Sequence, residues 1–451
     1  MSAADTSYMK EKPVLSLLLS MGIPMMLSML INSLYNIVDG IFVARMSEDA
    51  MMAISLVYPV QNLLHSIAVG FGVGTNAVIA IFLGSRKSDA ASSVASQGIL
   101  LNLCHGLVFM VFGILFMRPF LNMFTSNETV IAYGMQYGII VLCFSMIHST
   151  ELSFEKIFQS VGRMKTSMIS LGSSCMINII LDPLLIFGIG PFPALGVAGA
   201  AVATVIAQGV SVVLCILYVM ARVRILIPGR KHLDVGRKLY WDLFSQSISM
   251  GLMSSIVSAG SVILQYGING LGTLTIAGHT AARKLFAFTD MPLIAMANAA
   301  STFVSQNYGA VQPERIRKGM REIYLYSLVV MVVTVLLMQV SAEWLVRMVS
   351  GSSEALVLEN GARYLRWTSP FYAVLGVLLS TRYALQSLGE KVLPLFSSVI
   401  EFLGKVVFVL VFIPRFAYDA VILCEPVVWC FMTLYLVAVY RCNPFVFPKK
   451  Q

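Results

Sequence analysis

The most informative shortage in this 451-residue sequence is charge: only 12% of the residues are charged, whereas 58% are hydrophobic. A soluble domain carries roughly 25% charged residues, so a mean hydropathy of +0.82 excludes that class. Apolar runs of about 20 residues or more recur from end to end, which predicts a polytopic membrane protein. Because the runs are continuous rather than alternating, they favour helices over a β-barrel.

Motifs for catalysis and nucleotide binding are also absent. The sequence contains no GxxxxGK(S/T) loop for ATP, no HExxH zinc motif and no convincing Ser/His/Asp grouping. Its seven cysteines are scattered through apolar runs without a CxxC pair, which indicates neither a disulfide framework nor a zinc site. The glycine-rich segment 70–74 lies inside an apolar run and is typical of helix packing. We therefore predict a protein that is not an enzyme, holds no cofactor and is not driven by ATP.

The net charge of +9 does not indicate a nucleic-acid partner, because the basic residues fall in short loops between apolar spans. With the N-terminus inside, 22 of the 31 basic residues lie in inner segments and six in outer loops or span ends. This asymmetry predicts that both termini are cytoplasmic. The first 13 residues are polar, and the run after them is too long for a signal peptide, so we expect an uncleaved first span. The expected setting is the lipid bilayer of a prokaryotic cytoplasmic membrane, with the protein as a monomer.

The hydropathy pattern predicts twelve spans, six on each side of a polar linker. We expect an N-terminal lobe at residues 1–221, a cytoplasmic linker at 222–242 and a C-terminal lobe at 243–451. The predicted spans are 14–44, 51–83, 91–117, 130–158, 166–188, 196–221, 243–270, 275–308, 316–340, 358–388, 393–413 and 420–441.

The two halves of the chain repeat each other. The segment FQSVG at 158–162 corresponds to LQSLG at 385–389, and SMG at 20–22 corresponds to SMG at 249–251. The offset stays close to half the chain length, with six spans between equivalent points. Equivalent spans therefore share one orientation, which predicts two parallel repeats with a substrate route between them.

Three polar residues lie where a membrane span should be apolar. Asn178 and Asp182 are four residues apart in the fifth span, so a helix places them on one face. Pro183 then removes the N–H that would bond the carbonyl of Ile179. Asp39 lies in the first span, and its depth in the membrane is compatible with that of Asp182. Carboxylate, amide and free carbonyl oxygens suit a proton or a hard cation.

The second half of the chain serves as an internal comparison for this site. With an offset of 227 residues, Asn178 corresponds to Lys405 and Asp182 to Val409. Glu401 and Lys405 have the spacing of a helical ion pair, and we interpret them as structural. Because a fixed ammonium repels cations, we assign any cation site to the first half alone.

Several other polar residues inside predicted spans have no role that the sequence alone defines. Arg283 and Asp290 in the eighth span are candidates for the central cavity, although Asp290 could equally pair with a neighbour. Isolated histidines are usually packed or hydrogen-bonded. The remaining residues of this kind are His65, His105, His148, Glu151 and Lys284.

Taken together, these residues resemble the bacterial multidrug and toxic compound extrusion (MATE) transporters over nearly the whole chain. The strongest similarity is the segment from Asn178 to Gly188 followed by the Gly/Ala-rich stretch up to Thr204. Pro24, Tyr35 and Asp39 in the first span add to it. The resemblance implies an all-α integral membrane protein with twelve helices in two six-helix lobes.

The resemblance also implies roles for particular residues. The family's cation site, which would bind H⁺ or Na⁺, corresponds here to Asp39, Asn178, Asp182 and Thr204. Pro24 corresponds to the point at which the first helix bends in the family. Tyr35 and Gln265 are expected to line the cavity. Some members use acids in the seventh and tenth spans, whereas this chain has Gln265 in the seventh span and no acid around residues 367–372 of the tenth.

The predicted function is a secondary antiporter that exports small amphipathic, often cationic, organic compounds in exchange for H⁺ or Na⁺. One alternative is a flippase for lipid-linked saccharides from the same superfamily, because Arg283 and Lys284 would make the cavity more cationic. Another is a channel or receptor without coupled transport. Dependence of transport on an imposed ion gradient distinguishes a carrier from a channel.

Overall fold

The computed structural model describes residues 12–223, 232 and 236–448, so most of the predicted linker lies outside the described residues. The described residues form helices and connecting turns without any β-strand. They divide into two compact units. The described part of the first unit comprises residues 27–223, 232 and 236–251, and that of the second comprises residues 12–26 and 252–448.

The helices α1 to α7 cover the first half of the chain and follow the predicted spans closely. The predicted fourth span consists of two helices, α4 and α5, with a bend of 49° between them. Bounds are Val14–Ala44 (α1), Glu48–Gly84 (α2), Ser88–Asn122 (α3), Glu128–Cys143 (α4), Ser145–Ser160 (α5), Met164–Phe187 (α6) and Val197–Arg222 (α7).

The second half contains α8 to α15, and its spans are more often broken. The predicted eighth span is divided into α9 and α10, and the tenth into α12 and α13 with a 3₁₀ turn between them. Bounds are Arg237–Asn269 (α8), Thr273–Thr289 (α9), Met291–Gly309 (α10), Pro313–Ser350 (α11), Ala355–Thr368 (α12), Tyr372–Ser387 (α13), Leu393–Val407 (α14) and Ile413–Cys442 (α15).

The structure breaks the helix between the last two predicted spans, 393–413 and 420–441, within their predicted connection. A π-helical turn at Phe408–Phe412 joins α14 to the start of α15. The direction changes at Ala417, whose φ of 47° and ψ of −127° lie outside the helical region. A non-glycine residue rarely adopts a positive φ, so no residue type in the sequence signals this break.

Length and apolar composition make eight of the described helices able to cross a membrane, or nine when the bent pair α4–α5 counts as one span. Many large apolar side chains on these helices are exposed; Val340 is 87% exposed and Leu410 is 71% exposed. In water such surface would be a liability, but hydrocarbon is its natural solvent. The exposed apolar faces therefore agree with a protein embedded in lipid.

The core of the first unit is built from small and branched apolar side chains on α1, α2, α3, α4, α6 and α7. It includes Val43, Leu64, Leu121 and Ala200, which are almost completely buried. This core holds the C-terminal end of α6 and the N-terminal end of α7 together, close to where the sequence predicts the polar residues of the ion site.

Candidate functional site

The connection between α6 and α7 fixes how these two helices pair. Gly188 ends α6 in the left-handed conformation, with φ of 71°. The chain then folds back, and the N–H of Leu195 donates to the carbonyl of Leu185 at 2.9 Å. A Cβ on Gly199 would lie 2.4 Å from that same carbonyl oxygen, so only glycine allows α7 to approach α6 this closely.

This close approach brings Asn178 on α6 against Thr204 on α7. The amide orientation that satisfies both neighbours has Asn178 Nδ2 donating to Asp182 Oδ2 at 2.8 Å. The amide oxygen then accepts from the backbone N–H of Thr204 at 3.2 Å, and the Thr204 hydroxyl lies at the same distance. Asn178 is 2% exposed and Asp182 is completely buried.

Asp39 on α1 completes the group. Its carboxyl group lies close to the carboxyl group of Asp182. The Oδ1 atom of Asp39 is buried and has no hydrogen-bond partner. We call Asp39, Asn178, Asp182 and Thr204 the carboxyl site. The structure thus brings together the four residues that the sequence singles out for the ion.

Two tyrosines border the carboxyl site. The Tyr35 hydroxyl lies 3.5 Å from the hydroxyl of Thr204, so Tyr35 belongs to this site in the first unit. Tyr137 on α4 is close enough to interact electrostatically with both carboxyl groups, and its hydroxyl accepts from Gln61 Nε2 at 3.3 Å. The sequence analysis missed Tyr137, because a tyrosine in an apolar span carries no signal that separates it from core packing.

The chemistry of the carboxyl site follows from its composition. Two carboxylates in contact repel each other strongly in a medium of low dielectric, so they need a shared proton or a bound cation. The donor set of carboxylate, amide and hydroxyl oxygens is the kind that hard cations prefer. The unpaired Oδ1 of Asp39 supplies an acceptor for either ion. Among the described residues no group of three or more His, Cys, Asp or Glu side chains could hold a metal ion.

Pro24 lies inside α1, which is continuous from Val14 to Ala44. Proline has no N–H, so the carbonyl of Ser20 lacks its usual helical donor. The division between the two units falls only two residues later, between Met26 and Leu27. The role of Pro24 as a bending point stays a prediction.

The second unit contains a separate polar cavity of about 190 Å³. Gln265 and Arg283, both predicted to line a substrate cavity, lie in its wall. Asp290 does not line it; this residue joins α9 to α10, where its backbone N–H donates to the carbonyl of Phe286 at 2.9 Å. Of the four predicted cavity residues, the structure therefore brings together two.

Arg283 has an acidic partner that the sequence analysis did not identify. Its Nη1 atom lies 2.7 Å from Glu425 Oε2, and the Tyr364 hydroxyl donates to the same carboxylate oxygen at 2.6 Å. Glu425 lies inside the predicted twelfth span, where the rule that charged residues in spans are functional would have found it. The partner neutralises the charge that Arg283 would otherwise give to the cavity.

Glu401 and Lys405 on α14 form an ion pair of 2.9 Å, and both side chains are buried. Lys405 Nζ also donates to Ser261 Oγ at 3.3 Å, and Arg382 lies 3.7 Å from the other oxygen of Glu401. Two cations thus share one carboxylate. At the position that corresponds to Asn178, the second unit therefore carries a fixed positive charge.

Comparison with known proteins gives consistent results. A family model described as MatE matches residues 24–184 and again residues 250–411. The chain is 26% identical over 322 residues to a protein of Shewanella oneidensis named "FAD transporter", covering 70% of each chain. It is 24% identical over 436 residues to the "Probable multidrug resistance protein YoeA" of Bacillus subtilis, covering 95% of this chain and 93% of that one.

Among solved structures, a crystal structure of MATE in complex with MaL6 superposes with a TM-score of 0.90 at 20% sequence identity. The alignment covers 98% of this chain and 99% of that chain. At this identity the likeness shows the fold. The predicted all-α fold of twelve helices in two lobes is thereby confirmed.

Proposed function

The chain belongs to the MatE family of transporters, and from that premise we propose that it is a secondary antiporter. It is a multi-span membrane protein of a bacterial transporter family, with relatives named for multidrug resistance or export. We propose that it exports small amphipathic, often cationic, organic compounds while H⁺ or Na⁺ moves inward. The proposed setting is the prokaryotic cytoplasmic membrane, with both termini inside and the chain acting as a monomer.

The observation that carries this proposal is the close approach of the Asp39 and Asp182 carboxyl groups, with the Oδ1 atom of Asp39 buried and unpaired. These groups come from helices far apart in sequence, and a buried carboxyl pair is costly without an ion. Membrane proteins keep such groups mainly on ion or proton pathways. Under the proposal, Asp39 and Asp182 bind the coupling ion, while Asn178 and Thr204 orient it.

Coupling requires that the ion and the substrate favour different conformations of the protein. Binding of a cation neutralises the carboxyl site and removes the repulsion between Asp39 and Asp182. Loss of the cation restores that repulsion and favours a conformation in which the two carboxyl groups separate. We propose that bending of α1 near Pro24 provides this movement, since Asp39 is carried by the same helix.

The polar cavity of the second unit supports a role in substrate binding. Gln265 and Tyr364 supply hydrogen-bonding groups, and Leu264 and Ile268 supply apolar surface. Such a mixture suits amphipathic molecules. Asp290 and Tyr35 lie outside this cavity, so Gln265 and Arg283 are the two predicted substrate residues that we assign to it.

The relative named "FAD transporter" suggests a different cargo for this chain, a flavin nucleotide. Such a cargo is anionic rather than cationic. The pairing of Arg283 with Glu425 weakens that alternative, since the cavity has little net positive charge. The same pairing weakens the flippase alternative, and Lys284 is exposed rather than part of the cavity wall. A panel containing a fluorescent cation, FAD and a lipid-linked saccharide distinguishes these cargoes.

The proposal is tested with purified protein in proteoliposomes, by efflux of a fluorescent organic cation under a proton gradient and, separately, a sodium gradient. We expect Asp39→Asn to fold normally and to lose gradient-driven efflux, because an amide has neither the negative charge nor the exchangeable carboxyl proton of the aspartate. Asp89→Asn is the matched control, since Asp89 is exposed at the start of α3. Full gradient-driven efflux by Asp39→Asn would refute the assignment. Efflux that depends on neither the proton gradient nor the sodium gradient would indicate a channel.

A further inference from the structure

Polar side chains in the first unit continue from the carboxyl site along three neighbouring helices. On α6 they recur every four residues, and on α5 and α7 every three or four, so each helix presents them on one face. We call these residues the polar file. It comprises Ser170, Ser174 and Asn178 on α6, Thr204, Gln208, Ser211 and Cys215 on α7, and His148 and Glu151 on α5.

Contacts between the helices join several members of the file in pairs. Gln208 Nε2 lies 3.1 Å from His148 Nδ1, and the other ring nitrogen of His148 lies 3.3 Å from His65 Nδ1. Further along, the hydroxyl groups of Ser170 and Ser211 are 2.8 Å apart. Hydroxyl and imidazole groups can both accept and donate a proton, so these contacts suit proton movement.

Glu151 has the surroundings of a proton acceptor rather than of a structural ion pair. Its carboxyl group lies near the hydroxyl groups of Ser174 and Ser211, and its Oε1 atom is buried without a hydrogen-bond partner. Within residues 12–223 and 236–448, no basic side chain lies within ion-pairing distance of it. The neighbouring acid differs, because Glu155 is paired with Lys156 at 2.9 Å.

The geometry also sets the distance between Glu151 and the carboxyl site. Ser174, the Glu151 partner on α6, lies eight residues before Asp182, which is about 12 Å along a helix. Ser211, its partner on α7, lies seven residues after Thr204, which is about 10 Å. A direct transfer over this distance is excluded, so a proton would need the intermediate groups of the file.

Resting on the proposed antiport, we propose that Glu151 is a second proton-binding group of the first unit, connected to the carboxyl site by the polar file. A proton that leaves the Asp39–Asp182 pair is taken up by the Glu151 carboxylate, so the pair becomes more negative by one charge and Glu151 becomes neutral. Glu151 then releases the proton toward the end of the unit where α5 ends and α6 begins. The titratable or charged groups that face this region are His65 on α2, His105 on α3, His148, Glu155 and Lys156 on α5, Cys175 on α6 and Cys215 on α7.

The test compares two kinds of transport by Glu151→Gln in proteoliposomes. Glutamine keeps the shape and the ability to form hydrogen bonds with nearby hydroxyl groups, but it cannot carry the proton. We expect efflux driven by a pH gradient to fall about 100-fold, the lower end of the range for a positioned proton-transfer group. Exchange of labelled for unlabelled substrate without a gradient needs no net proton movement, so we expect it to stay within about twofold of wild type. Glu151→Asp should restore most of the driven efflux.

Glu128→Gln is the matched control, because Glu128 has an exposed side chain at the start of α4 and lies outside the file. Driven efflux at the wild-type rate in Glu151→Gln would overturn the proposal. Loss of driven efflux and exchange together, with a lower melting temperature, would also overturn it, because that pattern indicates a structural role. If efflux by the wild-type protein responds only to a sodium gradient, the proton route is overturned while the proposed antiport still holds. Failure of the proposed function itself would appear separately, as driven efflux retained by Asp39→Asn.

Discussion

The packing of α7 against α6 leads to a prediction with a defined size. A Cβ on Gly199 would lie 2.4 Å from the carbonyl oxygen of Leu185, whereas ordinary contact begins at 3.4 Å. The atom that would be too close belongs to the backbone of a neighbouring helix, so it cannot rotate away. Gly199→Ala therefore requires the two helices to separate locally by about 1 Å, an overpacking that typically costs about 1–3 kcal/mol.

The separation should reach the carboxyl site. Thr204 lies five residues after Gly199, about 7.5 Å along a rigid helix, and so moves with it. Its backbone N–H is 3.2 Å from the amide oxygen of Asn178. A movement of about 1 Å lengthens this contact beyond the range of a hydrogen bond. We therefore expect Gly199→Ala to lower both the stability of the protein and its gradient-driven efflux.

Gly209→Ala provides the matched control on the same helix, because a Cβ at Gly209 would have no atom within 4 Å. Both substitutions gain about 1 kcal/mol of helix propensity, but only Gly199→Ala pays the packing cost. The apparent melting temperature in detergent and efflux in proteoliposomes should fall for Gly199→Ala and not for Gly209→Ala. Equal melting temperatures and equal efflux in the two variants would refute the reasoning.

Two further substitutions test other parts of the molecule. Glu401→Gln leaves the buried cations Lys405 and Arg382 without their carboxylate, so we expect the free energy of unfolding to fall by about 3–5 kcal/mol. The apparent melting temperature should fall in this variant and recover in part when Lys405→Met is added. Equal melting temperatures of the single and double variants would contradict this. Pro24→Ala restores an N–H donor to α1, so we expect stability at least equal to wild type with slower efflux, and Pro59→Ala in α2 serves as control. Wild-type efflux by Pro24→Ala would argue against bending at that residue.

The sequence predicts the first six spans well because local chemistry marks their ends. The N-cap Ser47 accepts from the N–H of Ala50, and Glu48 and Asp49 follow it in the first turn of α2. Gly188 marks the end of α6 in the same way. These signals act within a few residues, so they can be recognised without knowledge of the tertiary structure.

The long-range contacts could be predicted only in part. Asn178 and Asp182 share a helix face by their spacing alone, but their meeting with Asp39 depends on how α1 packs against α6. The partner of Arg283 is Glu425, 142 residues away, and no local pattern connects them. The Asn178–Thr204 contact likewise depends on the fold of the connection between α6 and α7. Tertiary packing therefore decides which polar residues become a site.

The fixed ammonium of Lys405 has a consequence for the energy available to transport. Lys405 lies 2.9 Å from Glu401 and is covalently part of α14. The positive charge at this position of the second repeat is therefore a side chain that cannot be exchanged for a free ion. Under the proposed antiport, one chain then exchanges one ion in each cycle. One proton exchanged for one monovalent organic cation moves no net charge, so the membrane voltage does no work and the pH difference alone sets the limit of export. For a neutral substrate, each 100 mV would add about 2.3 kcal/mol, which corresponds to a concentration ratio of roughly 50.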